Sequence, residues 1–155
     1  MFFGDVNDFP VSYTQSYRPR VFLCAHKGRD KEYGVETVLR IAPLLPEVLF
    51  VIYGVGGLGL VNVLLREEVS EQQFNEEIGQ YQACLRFNKF DGFADCVAKS
   101  LLLGQYPITK IPFPLIDSFS GDSDLIQKLR MLPYKHNPNP HSEWWRKQLC
   151  NRIEV

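Results

Sequence analysis

The sequence contains no long hydrophobic run and carries almost no net charge. Its longest apolar stretch, over residues 48–53, has the length of a strand, whereas a membrane-spanning helix needs about 18 apolar residues. The formal net charge of −1 argues against nucleic-acid binding, which normally requires a basic surplus. The start, Met-Phe-Phe-Gly-Asp, lacks the basic and apolar segments of a secretory signal. We therefore expect a cytoplasmic protein with no membrane span and no nucleic-acid partner, while peripheral association with a membrane stays open.

Cysteine spacing of the metal-binding or redox type is also absent. The four cysteines are scattered, without a Cys-x-x-Cys pair, at Cys24, Cys84, Cys96 and Cys150. Three of them lie in apolar segments, where a free cysteine behaves as a small buried hydrophobic residue. His136 and His141 flank an Asn-Pro-Asn-Pro turn, but no third ligand stands at metal-ligand spacing. We therefore predict no metal site, and the sequence leaves open whether any cysteines pair.

What the sequence does contain is a regular alternation of strand-like and helix-like segments. Short apolar runs predict strands near residues 20–25, 48–53, 61–65, 83–87 and 108–111. Between and after them, apolar residues at helical spacing and capping residues predict helices that open at Gly34, Ser70, Phe93, Ser123 and Asn139. This order predicts an α/β fold, a single Rossmann-like domain over residues 20–155 with a parallel sheet flanked by helices. Residues 1–19 precede it as an extended leader, and a ligand is expected at the carboxyl ends of the strands.

Residues 91–108 form the most informative segment. Asp91 and Gly92 stand at the mouth of the predicted helix, and Gly104 falls where a left-handed helix cap is expected. Unpaired backbone N–H groups and the helix dipole meet at such a mouth, which makes it a natural anion site. We therefore expect an anionic ligand at this end of the helix.

The glycine-rich residues 54–59, Gly-Val-Gly-Gly-Leu-Gly, follow a predicted strand and match the dinucleotide fingerprint Gly-x-Gly-x-x-Gly. The fingerprint needs a long helix directly afterwards and an acidic residue at the end of the next strand. Residues 58–65 are short and β-branched, and the next predicted strand ends at Phe87-Asn88. A tight glycine turn beside the ligand crevice is therefore favoured, and a nicotinamide-binding Rossmann enzyme is the alternative. A strand over 61–65 would dismiss that alternative.

With the order of the elements, residues 91–108 resemble the donor-binding signature of GT-B glycosyltransferases of the group 1, family 4-like type. In that family an acidic-Gly-Phe or Asp-Gly-Leu turn opens a helix that ends in small-residue-Gly-x-Pro-Val. The resemblance extends over about residues 20–150 and includes the strand, basic loop, glycine, helix and second strand of residues 20–54. It implies the C-terminal, donor-nucleotide half of a hexosyltransferase-type enzyme, which binds a nucleotide-diphosphate sugar without a metal ion or other cofactor.

The resemblance also implies which residues contact the nucleotide sugar. They are Lys27, Arg29, Gly56, Asp91, Gly92, Phe93 and Lys99. Asp91 would face the sugar, while Lys27 and the backbone amides of Gly92 and Phe93 would face the diphosphate. The glycine turn with Gly56 would allow the backbone to approach a donor phosphate. No catalytic residue is implied, because the catalytic base of such enzymes belongs to the acceptor half.

Position 99 departs from the family pattern. The family has a second acid there, two turns into the helix, which holds the ribose hydroxyls, whereas this chain has Lys99. A lysine donates hydrogen bonds but accepts none. Lys99 is therefore either a solvated helix residue or a cation whose stem reaches back to the helix mouth, where it would meet a phosphate or Asp91. The basic loop departs too, because His26-Lys27 and Tyr33 stand where the family has an arginine and a lysine.

Only one half of a two-domain transferase is present in this pattern. The chain is therefore a fragment, one subunit of a split enzyme, or a non-catalytic interaction module with a degenerate glycosyltransferase fold. Its partner in transfer would be an acceptor-domain subunit, and a homo-oligomer stays open. An interaction module would have an occluded crevice and no nucleotide affinity. The donor nucleotide, the sugar and the acceptor are left open by the sequence.

Overall fold

The computed structural model describes the chain except at a few positions. It covers residues 2, 4–26, 28–29, 33–88 and 93–153, with side chains as far as residue 150. One sheet is formed by β1 (Arg20–Cys24), β2 (Leu49–Tyr53), β3 (Val63–Arg66), β4 (Ala83–Arg86), β5 (Ile108–Thr109) and β6 (Asp117–Ser118). All its strand pairs are parallel, in the order β3-β2-β1-β4-β5-β6. The predicted parallel sheet is confirmed, and the edge strand β6 is an addition to it.

Helices cover both faces of this sheet. They are α1 (Val35–Ile41), α2 (Glu71–Glu77), α3 (Asp95–Leu102), α4 (Asp122–Arg130) and α5 (Ser142–Ile153). Alternate residues of β1 point to opposite faces. Val21 and Leu23 belong to the core under α1 and α4, whereas Phe22 belongs to the core under α3 and α5. The Rossmann-like α/β architecture is therefore confirmed, with one apolar layer on each side of the sheet.

Helix ends follow the local signals in some places and not in others. The Ser70 hydroxyl accepts a hydrogen bond from the Gln73 amide at 3.1 Å, and Gly104 has φ +86, so both predicted caps are confirmed. The helix expected from Phe93 begins at Asp95, and the one expected from Asn139 begins at Ser142. Asn139 is buried, and its side-chain amide donates to the carbonyl of Gln105 at 3.0 Å. This hydrogen bond fixes Asn139 in the turn before the helix.

The turn after β2 contradicts the nicotinamide alternative. No helix follows residues 54–59, since Leu60 bridges Val63 and β3 then pairs in parallel with β2. Gly54 is required for a different reason, because it has φ +100 and a Cβ there would lie 1.9 Å from the carbonyl oxygen of Ala25. The glycine allows the ends of β1 and β2 to approach each other. The nicotinamide alternative is therefore dismissed, and the predicted tight turn is confirmed.

The segment before β1 packs on the rest of the domain. It contains the 3₁₀ turn Val6–Asp8, and Val6 and Phe9 are buried against α3 and α5. Arg146 holds it in place, since its guanidinium donates to the carbonyls of Val6 and Phe9 at 2.5 and 2.6 Å. Within the described part of the chain, no helix combines the length and the apolar character needed to cross a membrane.

Candidate functional site

A cavity of about 510 Å³ opens at the carboxyl ends of β1 and β2. This is the edge at which open α/β sheets bind ligands, next to the point where the strand order reverses between β1 and β4. Its walls come from the ends of β1 and β2, from the segment leading into α2, and from the first turns of α3. The lining residues are Cys24, Ala25, His26, Tyr53, Gly54, Glu68, Val69, Glu71, Phe74, Asp95 and Lys99.

Lys99 is a buried cation in the wall of this cavity. Its side chain is 2% exposed, and its Nζ lies 2.8 Å from Oδ2 of Asp95 and 3.5 Å from Oε1 of Glu71. The ammonium also lies over the rings of Phe9 and Phe74, at 5.6 and 5.4 Å from their centroids. The interpretation of Lys99 as a solvated residue is therefore wrong. Its stem does reach back to the first turn of its own helix, where it meets Asp95.

The two carboxylates around Lys99 are not equivalent. Asp95 is 43% exposed, lies at hydrogen-bonding distance and belongs to the same helix, four residues before Lys99. Glu71 is 80% exposed and contacts the ammonium at the longer distance from α2. Asp95 is therefore the principal partner that compensates the burial of the charge, and Glu71 adds a weaker contribution that solvent screens. Both residues line the cavity, and both side chains are partly exposed to solvent.

A hydrogen-bonded network fixes Tyr53 in the wall of the cavity. The Tyr53 hydroxyl donates to Oε2 of Glu77 at 2.7 Å, and it lies 2.7 Å from the Tyr81 hydroxyl. Glu77 also forms an ion pair with Arg66. Burial, followed by the hydrogen bonds with Tyr81 and Glu77, raises the pKa of Tyr53. Although burial opposes it, hydrogen bonding from Tyr53 and Arg66 holds the pKa of Glu77 below its ordinary value.

The charge of the cavity suits a ligand rich in hydroxyl groups. Three carboxylates, those of Glu68, Glu71 and Asp95, line it together with one ammonium, that of Lys99. Carboxylates accept hydrogen bonds and donate none at neutral pH, so they pair well with hydroxyl donors and poorly with phosphate oxygens.

The structure brings one of the seven predicted site residues, Lys99, into the cavity wall. Lys27, Asp91 and Gly92 lie outside the described residues. Arg29 lies at the loop after β1, with its guanidinium 5.7 Å from the centroid of the Tyr33 ring.

The other two predicted residues, Gly56 and Phe93, do not line the cavity. A Cβ at Gly56 would lie 2.8 Å from Oε1 of Glu67, so the turn there is filled by that side chain. The Phe93 ring stacks on Trp145 with centroids 4.7 Å apart and planes 5° apart. Phe93 is buried in that stack, so its predicted contact with a diphosphate concerns its backbone amide alone.

Asp95, Glu71 and Glu68 are cavity residues that the sequence analysis did not single out. The pair Asp95 and Lys99 has the i, i+4 spacing of an ion pair on a helix, which was visible in the sequence. No local sequence pattern relates Glu71 to Lys99, because α2 and α3 are separate helices that come together only when the sheet forms.

Several solved structures have the same fold. No family model and no curated protein matches the sequence. The C-terminal domain of a glycosyl transferase group 1 family protein, LpcC from Francisella tularensis, superimposes with a TM-score of 0.67 at 9% identity, over 94% of this chain and 97% of that one. Sucrose-phosphate synthase from Thermosynechococcus elongatus gives a TM-score of 0.70 at 13% identity, over 94% of this chain and 46% of that one.

A third match is to a chain that belongs to a complex. A chain of the GtfA/B complex gives a TM-score of 0.66 at 14% identity, over 94% of this chain and 36% of that one. Our chain therefore spans little more than a third of the length of that protein. The class of fold that these similarities define is an α/β domain of glycosyltransferase type. More specifically, it is the fold of the C-terminal domain of GT-B glycosyltransferases.

Proposed function

We propose that this chain is a glycosyltransferase-like domain that binds a nucleotide-diphosphate sugar in its crevice. The observation that carries the proposal is the cavity at the carboxyl ends of β1 and β2, where Asp95 and Glu71 present carboxylate oxygens beside Lys99. Carboxylates accept hydrogen bonds from the hydroxyls of a sugar or a ribose. The place of the cavity in the sheet supports the proposal, because open α/β sheets bind nucleotides there.

Lys99 has a defined electrostatic role in this proposal. Three carboxylates in one crevice would repel a diphosphate. The ammonium of Lys99 neutralises part of that charge while leaving carboxylate oxygens available for hydroxyl groups. The side chain thus makes an acidic cavity compatible with an anionic ligand, without itself replacing the acid that the family has at this position.

The diphosphate would be held by the basic loop after β1 and by the backbone that leads into α3. Lys27 and Arg29 in the loop after β1 would neutralise it, together with the backbone amides of Gly92 and Phe93, and Asp91 would face the sugar. Such charges and dipoles stabilise a leaving diphosphate without a metal ion or other cofactor. We propose a metal-independent site on these grounds.

Transfer would require a second domain. The match to a chain of the GtfA/B complex covers 36% of that chain, which supports a separate acceptor domain or subunit as the partner. Two domains of this kind enclose the ligand between them, so the exposed carboxylates at the rim would then be covered. We expect this assembly in the cytoplasm, and a homo-oligomer is the second arrangement to test.

One observation favours a different function, that of a non-catalytic interaction module. A lysine stands at the position where the family has an acid, and it is occupied by its own ion pairs. A domain that no longer binds a donor sugar would keep the fold, and an internal ion pair of this lysine could fill the space that the ligand once occupied. Such a module would bind no nucleotide sugar.

Binding measurements separate the two functions. A thermal-shift panel of uridine, guanosine and adenosine diphosphate sugars should show one that stabilises the protein by about 2.7 kcal/mol at 100 times its dissociation constant. Asp95→Asn should weaken that ligand by about tenfold, or about 1.4 kcal/mol, because a hydroxyl acceptor loses its charge. The matched control is Asp124→Asn, which alters an Asp–Lys pair of the same i, i+4 spacing in the first turn of α4. No stabilisation by any member of the panel at millimolar concentration would instead support the interaction module.

A further inference from the structure

The segment that precedes β1 reaches the charged wall of the cavity. Phe9 is 4% exposed, and the ammonium of Lys99 lies 5.6 Å from the centroid of its ring. Phe74 contacts the same ammonium at 5.4 Å, so two aromatic rings share the cation. The rings differ in one respect, because Phe74 lines the cavity and Phe9 does not. Phe9 would therefore act on a ligand through Lys99 and not by direct contact.

Arg146 of α5 fixes the backbone that carries Phe9. Its guanidinium donates to the carbonyls of Val6 and Phe9 at 2.5 and 2.6 Å. The same group donates to the carbonyl of Leu102 at 2.9 Å, and Leu102 is the last residue of α3, the helix that bears Lys99. The planar fork of an arginine suits several acceptors at once. One side chain therefore ties the segment before β1 to the helix of the buried cation.

The Phe9 ring supplements an ion pair that solvent weakens. Lys99 is 2% exposed, whereas Asp95, its nearest carboxylate, is 43% exposed. Water and salt screen an exposed carboxylate, while a cation over an aromatic ring is attracted most strongly where water is excluded. Because the Phe9 ring is buried, its contact with the ammonium is of the stronger kind. Loss of the ring would lower the free energy needed to move the ammonium out of the wall.

We propose that Phe9 is a positioning residue of the ligand site. Its ring holds the Lys99 ammonium in the cavity wall beside Asp95, so the charge that a ligand meets depends on a residue that the ligand does not touch. This inference rests on the proposed function, in which that ammonium makes an acidic cavity compatible with an anionic ligand.

Amine acetylation of the full chain measures the hold on Lys99 without a ligand. The folded protein is treated briefly with acetic anhydride and digested. Mass spectrometry then gives the labelled fraction of Lys99 relative to that of Lys128, which is 31% exposed and serves as the internal reference. Phe9→Leu keeps an apolar side chain and removes the ring. We expect it to accelerate the labelling of Lys99 about fivefold to tenfold, the factor that a desolvated cation–π contact contributes.

The matched control is Phe2→Leu. Phe2 is 8% exposed in the same segment and packs edge-on against Phe9, with ring centroids 6.1 Å apart. The control loses the same ring from the same apolar cluster, so urea unfolding should show a similar loss of stability, while the labelling of Lys99 should stay close to that of the parent. Arg146→Lys keeps the charge but loses the fork that holds the backbone, so it should accelerate the labelling as Phe9→Leu does.

Calorimetry tests the consequence for the ligand. The probe is the nucleotide sugar that stabilises the parent protein in the thermal-shift panel. Phe9→Leu should weaken its binding about threefold to tenfold, because the ammonium is then held less firmly among the carboxylates. Phe2→Leu should leave its affinity unchanged.

Three outcomes would overturn the proposal while leaving the proposed function intact. They are parental labelling of Lys99 in Phe9→Leu, equal acceleration in Phe9→Leu and Phe2→Leu, and an unchanged affinity of Phe9→Leu for a nucleotide sugar that binds the parent. In each case the ring would serve core packing alone. A parent protein that binds no member of the panel would instead refute the proposed function, and the role of Phe9 with it, so the two failures are distinguishable.

Discussion

The ion pair between Lys99 and Asp95 should respond asymmetrically to substitution. Asp95→Asn leaves an ammonium that is 2% exposed without its nearest carboxylate. Removing one member of a fully buried pair costs about 3–5 kcal/mol. Asp95 is 43% exposed and Glu71 remains 3.5 Å away, so we expect a smaller loss, about 2–3 kcal/mol in the free energy of unfolding.

Lys99→Met should behave differently. It removes the buried charge and leaves two carboxylates that are exposed enough to be hydrated. The methionine would pack between the rings of Phe9 and Phe74, where the lysine now makes its cation–π contacts. Replacement of a buried ion by an apolar group of similar size is often neutral or stabilising. We expect a change within about 1 kcal/mol of the parent.

Urea unfolding of both variants measures this asymmetry. The control is Asp124→Asn, whose lysine partner is 31% exposed, and it should cost much less than Asp95→Asn because solvent screens that pair. The control also subtracts the loss of a negative charge from the first turn of a helix, which both aspartates share. In a domain of this size the Asp95→Asn loss corresponds to roughly 4–12 °C in Tm. Equal effects of Asp95→Asn and Asp124→Asn, or a Lys99→Met loss as large as that of Asp95→Asn, would refute the reasoning.

Three further predictions address the ligand, pH and the backbone. Lys99→Glu restores the acid of the family pattern but places a buried carboxylate beside Asp95 and Glu71, so calorimetry should show weaker nucleotide-sugar binding than in the parent, and tighter binding would contradict the neutralising role of the ammonium. The lowered pKa of Glu77 contributes stability that is present above its unfolded pKa and lost as pH falls through its folded pKa. The stability gap between the parent and Glu77→Gln, measured by urea unfolding, should therefore close in acid, and a gap that is constant with pH would contradict this. Gly54→Ala should destabilise the fold by more than about 3 kcal/mol, because its Cβ would lie 1.9 Å from a carbonyl oxygen. Gly121→Ala has open space for its Cβ and should cost only the backbone strain of a residue at φ +121, about 1–3 kcal/mol.

The elements of the fold that could be predicted are those whose own residues carry a clear sequence pattern. Strands β1 and β2 are continuous apolar runs, which is typical of strands that a parallel sheet buries on both faces. Strand β6 has only the two polar residues Asp117 and Ser118, so its pairing depends on β5 and on nothing in its own pattern. The glycines of residues 54–59 matched a motif by spacing alone, although one of them is needed for a close approach of two strands. The spacing therefore did not identify the structure, whereas the short, β-branched segment after the glycines correctly favoured a tight turn.

The candidate site could be predicted only in part from the sequence, and Lys99 shows why. The expectation of a solvated lysine assumed an amphipathic helix with one face in solvent. In the structure, all residues of α3 from Cys96 to Leu102 are buried. A helix covered on all sides has no polar face on which to place a charge. Lys99 must then be paired within the protein, and its neighbours Phe9 and Glu71 come from segments far away in the sequence. The lysine is therefore held by the fold whether or not a ligand binds. For this reason stability and nucleotide affinity must be measured on the same variants, since a change that moves only the first quantity identifies Lys99 as part of the framework and not of the binding site.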